Sequence, residues 1–283
     1  MKIHLIVFGI LIAFFSNYLL EGFDGNNDWR WMLGVEAIPA LLFCVVLLKI
    51  AESPRWLILI KKDSQQGLRV LEKIYTKEEA TIIFKEIEND ISVSNEKNNL
   101  FSKKYKFPIL LAFLLAFFNQ LSGINFILYY APEILEMAGL GAKESLKNSI
   151  MIGAINLIFT LIGLRLIDFW GRKQLMLIGS IGYILSLAMV AWSFYSHADS
   201  FILLISILIF IASHAIGQGA VIWVYISEIF PNTIRAKGQS FGTGIHWIFA
   251  ALITLLGPVV IDIYKEKFIA YSLGNFATYG RFN

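Results

Sequence analysis

Seven blocks of about twenty residues, each poor in charge, recur along this sequence and restrict its fold more than any other feature. They fall at roughly 3–20, 31–50, 107–131, 149–167, 174–194, 201–226 and 238–261. A helix of about 20 residues spans the roughly 30 Å hydrocarbon core of a bilayer. Inside that core every backbone N–H and C=O must be bonded within the protein, and helices do so within one segment. The chain is therefore expected to be all-α, a polytopic transmembrane helical bundle in contact with lipid. Composition agrees, at 57% hydrophobic and 16% charged, against about 45–50% and 25% in water-soluble domains. A net charge of only +3 gives no footprint for nucleic acid. Cys44 is the single cysteine, and no Cys and His pair has zinc spacing, so neither a metal nor another cofactor is expected.

The first block follows Met1 and Lys2, the outline of a signal peptide. No small-x-small cleavage site follows it, and Ser16-Asn17-Tyr18 is a poor substitute, so it reads as a span. Trp29 and Trp31 open the second block as an interfacial belt would. Between 52 and 106 the chain is polar but still patterned. Val70, Leu71, Ile74 and Tyr75 fall at helical spacing, as do Ile83, Ile87 and Ile91. Thr76 with Glu79 forms a capping-box pattern. This segment reads as short amphipathic helices, with a solvated loop as the alternative. After Lys265-Glu266-Lys267, residues 268–283 read as an incomplete last span.

Basic residues set the orientation. The connections at 52–106, at Arg165, Arg172 and Lys173, and at Arg235 and Lys237 are rich in them. The alternate connections hold only Arg30, Lys143, Lys147, Lys265 and Lys267. The rich set, including the 52–106 loop, is expected to face the cytoplasm of a cell membrane.

Several polar groups sit inside the apolar blocks. Residues 118–134, FNQLSGINFILYYAPEI, carry Asn119, Gln120, Ser122 and Asn125 at hydrocarbon depth. Such groups face a bundle interior or a water-filled cavity. In an unbroken helix Gln120 and Asn125 would lie about 140° apart, an awkward angle for sharing one ligand. Gly123 between them can relax that geometry by local unwinding. Neutral amides with aromatic flanks suit an uncharged, hydroxylated ligand such as a sugar; the same amides could equally bond helix to helix. Trp223 follows Gly217-Gln218-Gly219-Ala220, where the glycines allow a bend or close helix contact. His246-Trp247 offers a donor, an acceptor and a flat apolar face, and a satisfied neutral histidine is favoured there over a proton sensor. Gly238, Gly242 and Gly244 read as a helix-packing stripe. At the basic ends, Asp168-Phe-Trp-Gly171-Arg172-Lys173 and Glu228-Ile-Phe-Pro231 through Arg235 place carboxylates and cations around tight turns. Glu52-Ser53-Pro54-Arg55 closes the second block.

These motifs carry a resemblance. QLSGIN with YYAPEI resembles the seventh-helix motif of the sugar porter family of the major facilitator superfamily. The Asp168 loop resembles the superfamily's D-x-x-G-R-[RK] turn, and residues 228–238 resemble E-x-F-P-x-x-x-R-x-x-G. The family has twelve spans in two halves, with a monosaccharide, and in some members protons, moved by alternating access. This sequence then matches the fifth helix onward, and the four helices that precede it in the family have no counterpart here. The implied organisation is 1–51 as the last two helices of the N-terminal half, 52–106 as a cytoplasmic helical linker, and 107–283 as the C-terminal half. Four absent helices imply a partial transporter sequence, inactive alone and partnered by those helices. The resemblance assigns the sugar site to Asn119, Gln120, Asn125, Trp223, His246 and Trp247. It assigns a cytoplasmic gate to Glu52, Arg55, Asp168, Gly171, Arg172, Glu228 and Arg235. Departures are Ala220 at a usual proline, His246 at a usual amide, Asn119 at a usual glutamine, and Ile3 where the fifth helix usually places glutamine. A sugar-sensing receptor and a non-transporting remnant remain alternatives. No G-x-S-x-G, H-E-x-x-H or phosphate-loop pattern points to an enzyme.

Overall fold

The computed structural model describes residues 3–94, 99–196 and 198–279, and the side chains of all of these except 90–94, 261 and 264–279. Among the described residues the chain is helical and has no strand. In order the helices are α1 Ile3–Leu20, α2 Asp28–Gly34, α3 Ala37–Leu47, α4 Pro54–Leu59, α5 Ser64–Glu72, α6 Lys77–Ser94 and α7 Lys106–Leu121. They continue with α8 Ile124–Tyr129, α9 Ala131–Met137, α10 Ala142–Tyr195, α11 Ser200–His214, α12 Ala220–Glu228 and α13 Arg235–Tyr279. A π-helix, Ala215–Gly219, joins α11 to α12.

Among the described residues six stretches are long and apolar enough to cross a membrane, and α10 holds two of the seven expected spans. Its 54 residues divide at Gly171, whose φ of 77° and ψ of 164° only glycine adopts readily. The second block divides between α2 and α3. Pro39 cannot donate to the Val35 carbonyl, which accepts from Ile38 N at 3.1 Å instead. The polar gap expected at 265–267 is absent, because α13 continues through it. Lysine and glutamate are good helix formers, so charge alone does not end a helix. Of the expected last span, Gly280–Asn283 lie outside the described residues.

Small residues set the helix crossings, as expected where lipid removes the hydrophobic drive between helices. α1 lies on α10, where a Cβ at Gly153 would meet Phe14 Cδ2 at 3.0 Å and Leu11 Cα at 3.1 Å. Further along α10, a Cβ at Gly163 would lie 3.0 Å from the Ala215 carbonyl oxygen and from Ile216 Cα. Gly179 faces Gly217, whose added Cβ would lie 2.8 Å from Gly179 Cα. Gly238 and Gly242 pack on Phe230 and Ile226, but Gly244 faces open space and leaves the expected stripe. The largest core joins Ile124, Ile127 and Leu135 to Ile152, Tyr183, Phe210 and Ile211.

The 52–106 region folds on itself. Ile58, Leu71, Ala80 and Ile87 form a core shared by α4, α5 and α6. The capping box is present, with Thr76 N donating to Glu79 Oε2 at 3.1 Å and Glu79 N donating to Thr76 Oγ1 at 3.4 Å. Ile74 and Tyr75 are exposed, because α5 ends at Glu72 and they lie beyond the stripe. The Ile91 side chain is outside the described set.

The Gly217 crossing has no room for a side chain, and its neighbours there are backbone. Gly217→Leu should cost about 1–3 kcal/mol and lower the thermal unfolding midpoint in detergent. Gly244→Leu should change stability by less than about 0.5 kcal/mol.

Candidate functional site

The seventh-helix stretch breaks where glycine permits it. α7 ends at Leu121, Ser122 caps it, and Gly123 takes φ 79° and ψ 13° before α8 begins at Ile124. That left-handed residue removes the 140° separation of a continuous helix. Asn125 Nδ2 then donates to Gln120 Oε1 at 3.0 Å. Gln120 Nε2 lies 2.8 Å from His246 Nε2 and 3.0 Å from Nδ1 on α13. An amide N–H₂ only donates, so the ring nitrogen it reaches accepts. Asn119 Oδ1 lies 3.4 Å from the same Gln120 nitrogen, while Asn119 Nδ2 is buried without a partner. Gln120 is 1% exposed and Asn119 2%.

Two tryptophans flank this set. The Trp223 ring centroid on α12 lies 4.6 Å from that of His246, and the Trp247 ring meets the His246 edge at 5.3 Å. Trp247 is itself 54% exposed, so only its edge closes the cluster. The structure thus brings together Asn119, Gln120, Asn125, Trp223 and His246, with Trp247 at the margin. Tyr130 Oη donates to the Thr254 carbonyl at 3.2 Å and ties the α8–α9 junction to α13. Beyond it, an open cavity of about 450 Å³ is lined by Phe126, Tyr130, Glu133, Pro258 and Asp262, not by the amides, which close on one another.

Ala220 stands where the resembling family has proline, and the backbone there is the π-helix. A wide turn of this kind bends a helix without a proline and lets Gly217 approach Gly179.

At the other end of the bundle, Arg172 Nη2 meets Glu228 Oε1 at 2.7 Å and Nε meets Oε2 at 3.2 Å. The guanidinium and carboxylate thus pair in a two-pronged contact. Gly171, one residue earlier, turns the chain so that Arg172 points at α12. Asp168 adds a second negative field on Arg172. Glu52 is not part of this pair; it meets Lys61 Nζ at 3.4 Å within the linker. Arg55 lies in the first turn of α4 and Arg235 begins α13, and Arg235 is exposed.

Two polar groups at membrane depth were not singled out from the sequence: Tyr183 and His214. The Tyr183 hydroxyl bonds His214 Nδ1. The available signal was simply an ionisable ring inside each of the blocks 174–194 and 201–226, which marks a candidate site on its own. Among the described residues no group of His, Cys, Asp and Glu could hold a metal ion. What the assembled set offers is uncharged donors and acceptors between aromatic faces, the chemistry that grips hydroxyl groups.

The family model described as "Sugar (and other) transporter" matches residues 3–280. The D-xylose-proton symporter of Escherichia coli strain K12 is 33% identical over 260 residues, 90% of this chain and 53% of the relative. The arabinose-proton symporter of Bacillus subtilis strain 168 is 33% identical over 279 residues, 96% of this chain and 59% of the relative. Among solved structures, the partially occluded, inward-open xylose transporter of E. coli matches with a TM-score of 0.74 at 29% identity. That match covers 90% of this chain and 55% of the transporter. The chain spans about half the length of the curated relatives it matches. A multi-pass helical membrane protein with this family match, the chain belongs to the sugar porters of the major facilitator superfamily.

Proposed function

We propose that this chain carries the C-terminal wall of a monosaccharide site in an alternating-access transporter. The observation that supports this most is the chain of bonds from Asn125 through Gln120 to His246, beside Trp223. These amides satisfy one another, and a sugar hydroxyl can replace each partner in turn without stranding a buried donor. Asn119 contributes its unpartnered Nδ2, and Trp247 the outer aromatic face. The complementary wall comes from the helices that precede this stretch in the longer relatives. Residues 1–51, 52–106 and 107–283 act as the last helices of the first half, the linker and the second half. Two relatives are named as proton symporters, so the transport reading includes proton coupling as a measurable feature.

The basic connections, with the 52–106 linker, face the cytoplasm of the cell membrane. There Arg172 and Glu228 form the closed contact of a gate, with Asp168 and Gly171 shaping it and Glu52, Arg55 and Arg235 available to it in the other state. An exposed pair of this kind is screened by solvent and weak, so it can open at each cycle.

The binding reading is tested by sugar titration, in lipid nanodiscs, of the chain joined to the N-terminal portion its relatives carry, using D-xylose, arabinose and D-glucose. Gln120→Ala removes two partners at once and should weaken the preferred sugar by about fivefold or more, from lost bonds of about 0.5–1.5 kcal/mol each. Unchanged affinity would remove Gln120 from the site. The gate reading is tested by uptake into vesicles, with and without a pH gradient, by the chain joined to the N-terminal portion its relatives carry. Glu228→Gln should lower uptake severalfold while leaving the thermal unfolding midpoint nearly unchanged. A large loss of stability with proportional loss of uptake would make the pair a fixed clamp.

A further inference from the structure

Where α7 and α13 begin, a surface used by neither the amide set nor the Arg172–Glu228 pair changes from basic to apolar. The 3-10 turn Lys103–Tyr105 leads into α7, and Arg235 opens α13. Between them lies an open cavity of about 480 Å³, lined by Asn99, Leu100, Phe101, Lys237 and Ser240. A second cavity, of about 380 Å³, is lined by Phe101, Lys106, Ile109, Leu110, Phe113 and Phe241. Phe101 lines both, which makes them one continuous groove.

The outer end of the groove suits an anion. Lys103, Lys104 and Lys106 are all exposed there, and Lys237 lies on the α13 side. No aspartate or glutamate occurs from 97 to 132 or from 229 to 261, the two segments that form the walls. Asn99 Oδ1 accepts from Phe101 N at 3.0 Å, which leaves the amide N–H₂ as a further donor. Ser240 Oγ donates to the Ala236 carbonyl at 2.9 Å, so its proton is already used. The segment is anchored, because Leu100 and Tyr105 are buried with Ile222, Phe230 and Ile234.

The inner end is apolar. Phe101 is 69% exposed and Leu110 54%. Phe101 meets Phe241 edge to face at 6.1 Å, and deeper along the same two helices Phe113 meets Phe249 at 6.3 Å. From Lys106 to Phe113 the helix rises about 10 Å, far enough to carry the groove from the bilayer boundary into hydrocarbon. A soluble phosphate would occupy the basic end and leave the apolar slot empty. A neutral lipid would use the slot and gain nothing from the lysines. Only an anionic lipid engages both.

We propose that this groove binds an anionic phospholipid, with its phosphate at the lysines of the 103–106 turn and an acyl chain along Ile109, Leu110 and Phe113. The lipid would then bridge the same two helices that the Gln120–His246 bond joins deeper in the bilayer. Nothing in this depends on which solute the protein carries.

The test uses the chain joined to the N-terminal portion its relatives carry, purified in detergent and titrated with dioleoyl phosphatidylglycerol or dioleoyl phosphatidylcholine under native mass spectrometry. Phosphatidylglycerol should bind about tenfold tighter or more. Lys103→Gln, Lys104→Gln and Lys106→Gln combined should remove most of that preference, with an unchanged unfolding midpoint in detergent alone. Phosphatidylglycerol with a diazirine on its acyl chain should label residues 109–113 and 241 of the wild type, and severalfold less in the triple variant. Equal binding of the two lipids, a preference that survives the triple substitution, or label confined to other spans would overturn the proposal. Label confined to other spans is also the result expected if the N-terminal helices cover the groove. Complete displacement by inorganic phosphate, with no label in the groove, would make it a simple anion site and overturn the lipid assignment. Should the triple variant not fold, the position of the label in the wild type decides.

Discussion

The one constraint on which the site depends is the left-handed conformation of Gly123. A polar side chain in a membrane helix has few choices of partner, because its direction is set by the helix and its solvent is hydrocarbon. Five positions apart on a regular helix, Gln120 and Asn125 would point to different neighbours. Turning the backbone through φ 79° brings them within 3.0 Å, and Gln120 then spans to His246 on α13. One glycine thus connects α7 and α8 to α13, where Trp223 of α12 lies beside the same histidine. The break has its own cost in backbone bonds. Ser122 offsets part of it by bonding the Asn119 carbonyl, and Gly123 N by bonding that of Gln120.

The rest of the bundle can be understood as support for that junction. With no hydrophobic drive between helices in lipid, close backbone approach does the holding. Gly153, Gly163, Gly179 and Gly217 supply it along α10 and its neighbours. The π-helix at Ala215–Gly219 performs the bend that the resembling family assigns to proline at position 220. This solution keeps every backbone donor, which proline would not. The polar end of the bundle is held differently, by a two-pronged but exposed Arg172–Glu228 pair. Strong packing at membrane depth and weak pairing at the water's edge are the division that the proposed site and gate would require.

Much of this was legible in the residues. Block length specified the helices, and Gly123 marked the break because no other residue in 118–134 tolerates positive φ as well. The Thr76–Glu79 cap was readable from two side chains three apart. Less legible were features that depend on partners distant in sequence. The continuity of α13 through 265–267 follows from helix propensity, which a charge count does not register. Gly244 looked like its neighbours at 238 and 242, but what it faces is decided by packing. The pairing of Glu52 with Lys61, and of Glu228 with Arg172, depends on which helix end lies nearest. Tyr183 and His214 passed as ordinary span residues because they lie in different blocks, and only the fold stacks them.

The central claim, that a left-handed Gly123 makes the site, is tested most directly by sugar affinity in two substitutions at that position. Asparagine tolerates this conformation and valine does not, the strain costing about 1–3 kcal/mol. Gly123→Asn should bind within about threefold of the wild type, and Gly123→Val should lose about tenfold or more. Wild-type affinity in Gly123→Val would contradict the account.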